Sequence, residues 1–95
     1  MKERVSIGDA SVPKLPKHVR LRFDEARQQW LVLAPERVLV PDDIALEILK
    51  RCDGVATVAA IADDLAAKFS APRDVVGRDV IAMLQDLADK GVLAA

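Results

Sequence analysis

This chain has almost nothing with which to carry out chemistry. It holds one histidine, His18, and one cysteine, Cys52. A lone cysteine excludes an internal disulfide and a cysteine-rich metal centre. A lone histidine has no second imidazole to help it ligate zinc. Aromatic residues are scarce, with one tryptophan, two phenylalanines and no tyrosine. The four glycines form no phosphate-cradling loop. No apolar run approaches the roughly 18–20 residues that span a bilayer. The opening segment MKERVSIGDASVPK lacks the apolar middle of a secretory signal. These absences predict a cytoplasmic chain without a membrane span, cofactor, metal or active site.

What is present suits a small globular domain. The 95 residues are 52% hydrophobic and 31% charged, enough for one domain whose core has little margin. Charge is unevenly spread although the net is only −1. Residues 1–41 hold eight lysines and arginines against five acids, and residues 42–95 hold six bases against ten acids. A basic first half joined to an acidic second half argues against a general nucleic-acid binder, which needs a positive reading surface.

Residues 1–16 show no clear period and end in Pro13-Lys14-Leu15-Pro16, which favours extended backbone. They read as a flexible N-terminal arm or linker, leaving 17–95 as the domain. Val19, Leu21 and Phe23 then alternate with Arg20 and Arg22, the pattern of a half-buried strand. A second strand-forming run covers Gln29 to Leu33, and a third covers Arg37 to Val40. Pro35 between them fits the second position of a type I turn, and Pro41 stops the third run. Three helices follow. The first runs from about Asp42, a plausible N-cap, to Arg51, with an apolar stripe of Ile44, Ala45, Ile48 and Leu49. Thr57 caps the second, whose apolar face is Val58, Ile61, Ala62, Leu65 and Phe69. Ala71-Pro72 opens the third, which carries Val76, Val80, Met83, Leu84 and Leu87 and closes at Gly91. The predicted fold is α+β and winged-helix-like: an N-terminal three-stranded antiparallel sheet followed by a three-helix bundle.

Residues that could imitate a site have plainer readings. His18 sits at an arm-to-strand junction and reads as a surface histidine. Cys52 ends the first helical stripe and reads as a small buried hydrophobe. Asp63-Asp64 and Asp86/Asp89 read as solvated helix faces, not acid–base pairs. A winged-helix DNA-binding regulator is the rival from another class. Its recognition helix would be the third, where Arg73, Arg78 and Lys90 are outnumbered by Asp74, Asp79, Asp86 and Asp89. The open edge of the third strand is more promising. Free N–H and C=O groups there can pair with an extended guest chain, with the third helix as the opposite wall. The candidate peptide-binding residues are Arg37, Val38, Leu39, Val40 and Pro41 on the strand, and Val75, Arg78, Asp79, Ala82 and Met83 on the helix. Met83 is equally readable as core, and Arg78 and Asp79 as solvated.

From Pro16 to Leu93 the chain resembles the PqqD family of pyrroloquinoline quinone biosynthesis. The matching pieces are VRLRFDEARQQWLVLAPERVLVPD, the run Ile48-Leu49-Lys50-Arg51-Cys52-Asp53-Gly54, Thr57-Val58 with Ile61 and Leu65, and Asp79-Val80 through Leu84, Leu87 and Gly91-Val92-Leu93. The segment Leu33-Ala34-Pro35-Glu36-Arg37-Val38 is the most specific of them. The resemblance implies a peptide chaperone without catalysis. Such a protein binds the precursor peptide PqqA and presents it to the radical S-adenosylmethionine enzyme PqqE, which crosslinks a Glu and a Tyr of the peptide. The same fold recurs as the leader-peptide recognition element of other modified-peptide pathways. It also implies a groove at residues 37–41 and 75–83, with the guest added as a strand. Some members are fused to a neighbouring pathway protein, so residues 1–15 fit a linker remnant. The outer acids Asp43, Glu47, Asp63 and Asp64 are candidates for the surface that meets the enzyme.

Overall fold

The alternating apolar positions of residues 20–39 make a three-stranded antiparallel sheet in the order β1-β2-β3. The structure, a computed structural model, describes residues 6–35 and 37–95. The strands are β1 (Arg20–Asp24), β2 (Gln29–Ala34) and β3 (Arg37–Leu39). Leu21 pairs with Val32 and Phe23 with Trp30, while Val32 pairs with Leu39 across the next ladder. Leu21, Val32 and Leu39 pack toward the core, so this face of the sheet meets the helices. The β1–β2 turn is held by the Asp24 carboxylate, which accepts the Ala26 N–H at 3.1 Å, and Gln28 adopts a positive φ of 54°. The turn type expected at Ala34-Pro35-Glu36-Arg37 involves Glu36, which lies outside the described residues, as do residues 1–5.

The helices start where the caps predict. Asp42 accepts the Ala45 N–H at 2.8 Å and opens α1 (Asp43–Lys50). Thr57 accepts the Ala60 N–H at 3.1 Å and opens α2 (Val58–Phe69). Pro72 occupies the N-cap position of α3 (Arg73–Asp89), one residue before the first helical turn where the sequence suggests it. At the other end Gly91 takes a φ of 78°, and the N–H groups of Gly91 and Val92 donate to the Ala88 and Leu87 carbonyls. That pattern is a Schellman motif, and glycine fits it because a Cβ resists positive φ.

Val58, Ile61, Ala62 and Leu65 from α2 meet Val80, Leu84 and Leu87 from α3 in the core, and Ile48, Leu49 and Val32 join them. Each such aliphatic side chain contributes roughly 1.5–3 kcal/mol when fully buried. Two expected core residues lie further out. Ile44 is 51% exposed and Phe69 is 44% exposed, because the helix faces that meet are rotated away from them.

Within the expected arm, the described residues 7–14 dock onto the helices. Ile7 and Pro13 are buried. The Ser11 and Asp9 carbonyls accept the Val58 and Ala59 N–H groups, two donors of the first α2 turn that have no partner within their own helix. The Pro13 carbonyl accepts from Gly54, and Lys14 exchanges two backbone bonds with Ala94. The described part of this segment thus covers the first turn of α2 and pairs with the C-terminal residues.

Candidate peptide-binding site

β3 is a terminal strand of the sheet, and among the described residues only β2 pairs with it. The docked N-terminal segment bridges to Asp53 and Ala94 instead. The outer side of β3 is therefore open to another extended chain. Val38 pairs with Leu33, on the face turned away from the helices, and is 60% exposed. Leu39 turns inward against the core.

Beside that edge lies a trough built by three elements. Its centre is a hollow of about 460 Å³ between Leu39, Val40 and Pro41, the first turns of α1, and the α3 residues Asp79 and Met83. The α3 stripe that lines it continues through Asp86 to Lys90, spacings of three and four that keep one helical face toward β3. At one end the trough runs into an apolar hollow of about 220 Å³ beside Ile44, Phe69, Val75 and Val76. At the other end Lys90 is shared with a hollow of about 210 Å³ beside Arg37, His18 and Pro35. The trough thus changes character along its length, from mainly apolar at Ile44, Phe69 and Val75, past the acids Asp42, Asp79 and Asp86, to basic at Arg37 and Lys90.

Of the residues expected from sequence, this arrangement gathers Arg37, Leu39, Val40, Pro41, Val75, Asp79 and Met83. Met83 serves both readings, since it also packs against the core. Arg78 and Ala82 are exposed but stand outside the lining, because the face toward β3 runs through 75, 79, 83, 86 and 90. Ile44 and Phe69 were missed as site residues, since both read as members of buried stripes. The only sequence signal was their place at the margin of each stripe. A larger hollow of about 630 Å³ lies by the β1–β2 hairpin at Arg22, Leu31 and Leu33 and touches none of the expected residues.

The chemistry of the remaining candidates is quiet. Cys52 is buried, donates its S–H to the Ile48 carbonyl at 3.3 Å, and has its thiol pushed up to about 12 by burial. His18 is exposed, with Nε2 3.4 Å from the Gly91 carbonyl. Among the described residues no group of three or more His, Cys, Asp or Glu could hold a metal, and no helix is long and apolar enough to cross a membrane. The outer acids are largely committed within the molecule. Glu47 accepts from Lys68 at 2.6 Å and from Arg51 at 2.9 Å, which lowers its carboxyl to about 2. Asp64 pairs with Arg51 at 2.6 Å and Asp63 with Arg73 at 2.5 Å. Asp43 sits in the first turn of α1, where a negative charge is favourable. Three of the four acids are thus already neutralised by neighbours.

Known proteins share this architecture. Residues 29–93 match the family model of coenzyme PQQ synthesis protein D, PqqD. The PqqA binding protein of Rhodopseudomonas palustris (strain TIE-1) is 62% identical over 90 residues, covering 95% of this chain and 88% of that protein. The bifunctional coenzyme PQQ synthesis protein C/D of Methylorubrum extorquens is 43% identical over 91 residues, which are 96% of this chain and 24% of that protein. Among solved structures, the NMR structure of the PqqD truncation of Methylobacterium extorquens PqqCD, described as a functional and stand-alone RiPP recognition element, superimposes with a TM-score of 0.80 at 43% identity. It covers 94% of this chain and 95% of its own. With a family match over most of its length and relatives this similar, the chain belongs to the PqqD family of coenzyme PQQ synthesis proteins.

Proposed function

We propose that this protein binds the precursor peptide PqqA in the cytoplasm and presents it to the radical S-adenosylmethionine enzyme PqqE, performing no chemistry itself. The observation that carries the reading is the outer edge of β3, unpaired among the described residues, beside a trough walled by α3. An extended guest paired there gains backbone hydrogen bonds from the strand and side-chain contacts from the trough. Binding orders a flexible peptide and raises its effective concentration at the enzyme. The relatives named PqqA binding protein support the choice of guest, and the fused C/D protein supports a place among pathway partners. The exposed bases Arg20, Arg22 and Arg37 favour encounter with an acidic peptide, an effect that weakens with salt. No observation favours the DNA-binding rival. The exposed surface of α3 sets Asp74, Asp79, Asp86 and Asp89 against Arg78 and Lys90, so phosphates would meet net negative charge.

The test is an NMR titration of the whole labelled chain with PqqA. Shifts are expected at Leu39, Val40 and Pro41 and at Val75, Asp79 and Met83. Shifts confined to α2 and residues 9–14 would refute the groove.

A further inference from the structure

The two ends of the trough differ in a way that specifies the guest. Arg37, Lys90 and His18 converge on the terminal hollow, and no carboxylate lines it among the described residues. Arg37 is exposed and belongs to no ion pair among those residues. Lys90 binds Asp86 at 2.8 Å, so Arg37 supplies the uncompensated charge. The hollow lies at the C-terminal end of α3, where carbonyl dipoles ordinarily repel an anion. Here the Leu87 and Ala88 carbonyls are already occupied by the Val92 and Gly91 N–H groups, and His18 faces the Gly91 carbonyl. The rest of the trough carries the exposed acids Asp42, Asp79 and Asp86, with Asp79 also bordering the far hollow, and they disfavour a second carboxylate there. At the far end Ile44, Phe69 and Val75 offer apolar surface, with Asp79 at its margin.

Resting on the peptide-binding reading above, we infer that the hollow between Arg37, Lys90 and His18 receives one carboxylate side chain of the guest peptide, and that this contact fixes the guest's register while a bulky apolar side chain fills the hollow at Ile44, Phe69 and Val75. Attraction at one end and repulsion at Asp79 act together, so the acid has one place to go. The spacing follows from the wall. Val75 and Lys90 are separated by about 22 Å of helix. An extended chain covers that length in about six or seven residues. Side chains an even number apart share one face of an extended chain, so about six is the spacing that points both anchors into the trough.

The experiment is a double-mutant cycle on the full chain. Fluorescence anisotropy measures binding of PqqA, and of PqqA variants in which each Asp or Glu is changed in turn to its amide, to the wild type and to Arg37→Gln. One acidic position is expected to lose about fivefold in affinity on the wild type, the scale of a partly exposed ion pair. On Arg37→Gln the same peptide change is expected to have no further effect. Arg37 is exposed, so the variant's thermal unfolding serves as the check that it stays folded. Equal losses on both proteins for every acidic position would overturn the carboxylate site while leaving the groove intact. No binding of PqqA to the wild type would overturn both readings.

Discussion

One end of this molecule satisfies its backbone, and the other leaves it on offer. At the closed end, Asp9, Ser11 and Thr57 cap the first turn of α2, and Lys14 and Ala94 exchange two backbone bonds. Ile7, Pro13 and Leu93 are buried there. At the open end, β3 has a partner on one side only among the described residues, and Val38, Val40, Ile44, Phe69 and Val75 are each at least 41% exposed. Small domains ordinarily cover an edge or keep apolar side chains away from it. Here the described residues cover one end and leave a strand edge with exposed apolar side chains at the other, the arrangement the proposed reading of an extended guest calls for.

The comparison breaks most readily at its closed end. Deleting residues 1–13 removes the burial of Ile7 and Pro13 and two α2 caps, at an expected cost of about 3–5 kcal/mol. Urea unfolding measures it. Ile7→Ala, a milder change expected to cost about 2 kcal/mol, reports the same contact where the truncated chain fails to fold. Unchanged stability in both would mean that the segment is a loose arm after all. At the open end, Val38→Pro is expected to weaken PqqA binding about tenfold more than Val38→Ala, since proline removes a backbone N–H of the edge strand and fixes φ while the exposed side chain contributes little. Titration calorimetry on variants with matched melting temperatures decides it. Equal losses would place the affinity in side chains instead of backbone pairing.

The smallest expected effect concerns acid. Bonds from Lys68 and Arg51 hold the Glu47 carboxyl at about 2, against an ordinary value of 4.5. Backbone N–H groups of Ala56 and Val55 lower Asp53 in the same direction. A depressed carboxyl favours the folded state above its unfolded value, and that contribution is lost as pH falls through the folded one. Melting temperature is therefore expected to fall between about pH 4.5 and pH 2. Glu47→Gln is expected to make that fall shallower while leaving PqqA affinity at neutral pH unchanged. Identical slopes for the two proteins would show that the Glu47 pairs are too well solvated to matter.

Much of this architecture was legible because it is local. Alternation at Val19, Leu21 and Phe23, the carboxylate of Asp42, the hydroxyl of Thr57 and the glycine at 91 each act within a few residues. Helix and strand boundaries could therefore be read close to where they fall, and so could the quiet surroundings of His18 and Cys52. The docked segment at 7–14 was not legible. It has no period, and its partners at Val58, Ala59, Gly54 and Ala94 are brought to it only by folding. The trough was half legible. That β3 ends the sheet followed from strand order, but the α3 face that meets it depends on how α3 rotates against α2.

The sequence by itself determined the elements, their caps and the family resemblance, because these rest on short-range preferences and on residue identity. Only the tertiary structure decided that Ile44 and Phe69 face the trough, that Arg78 and Ala82 stand beside it, and that Arg37 meets Lys90 and His18 at one end. Those outcomes turn on the relative rotation of packed helices, a quantity fixed by how all the side chains interlock and not by any one stretch of chain.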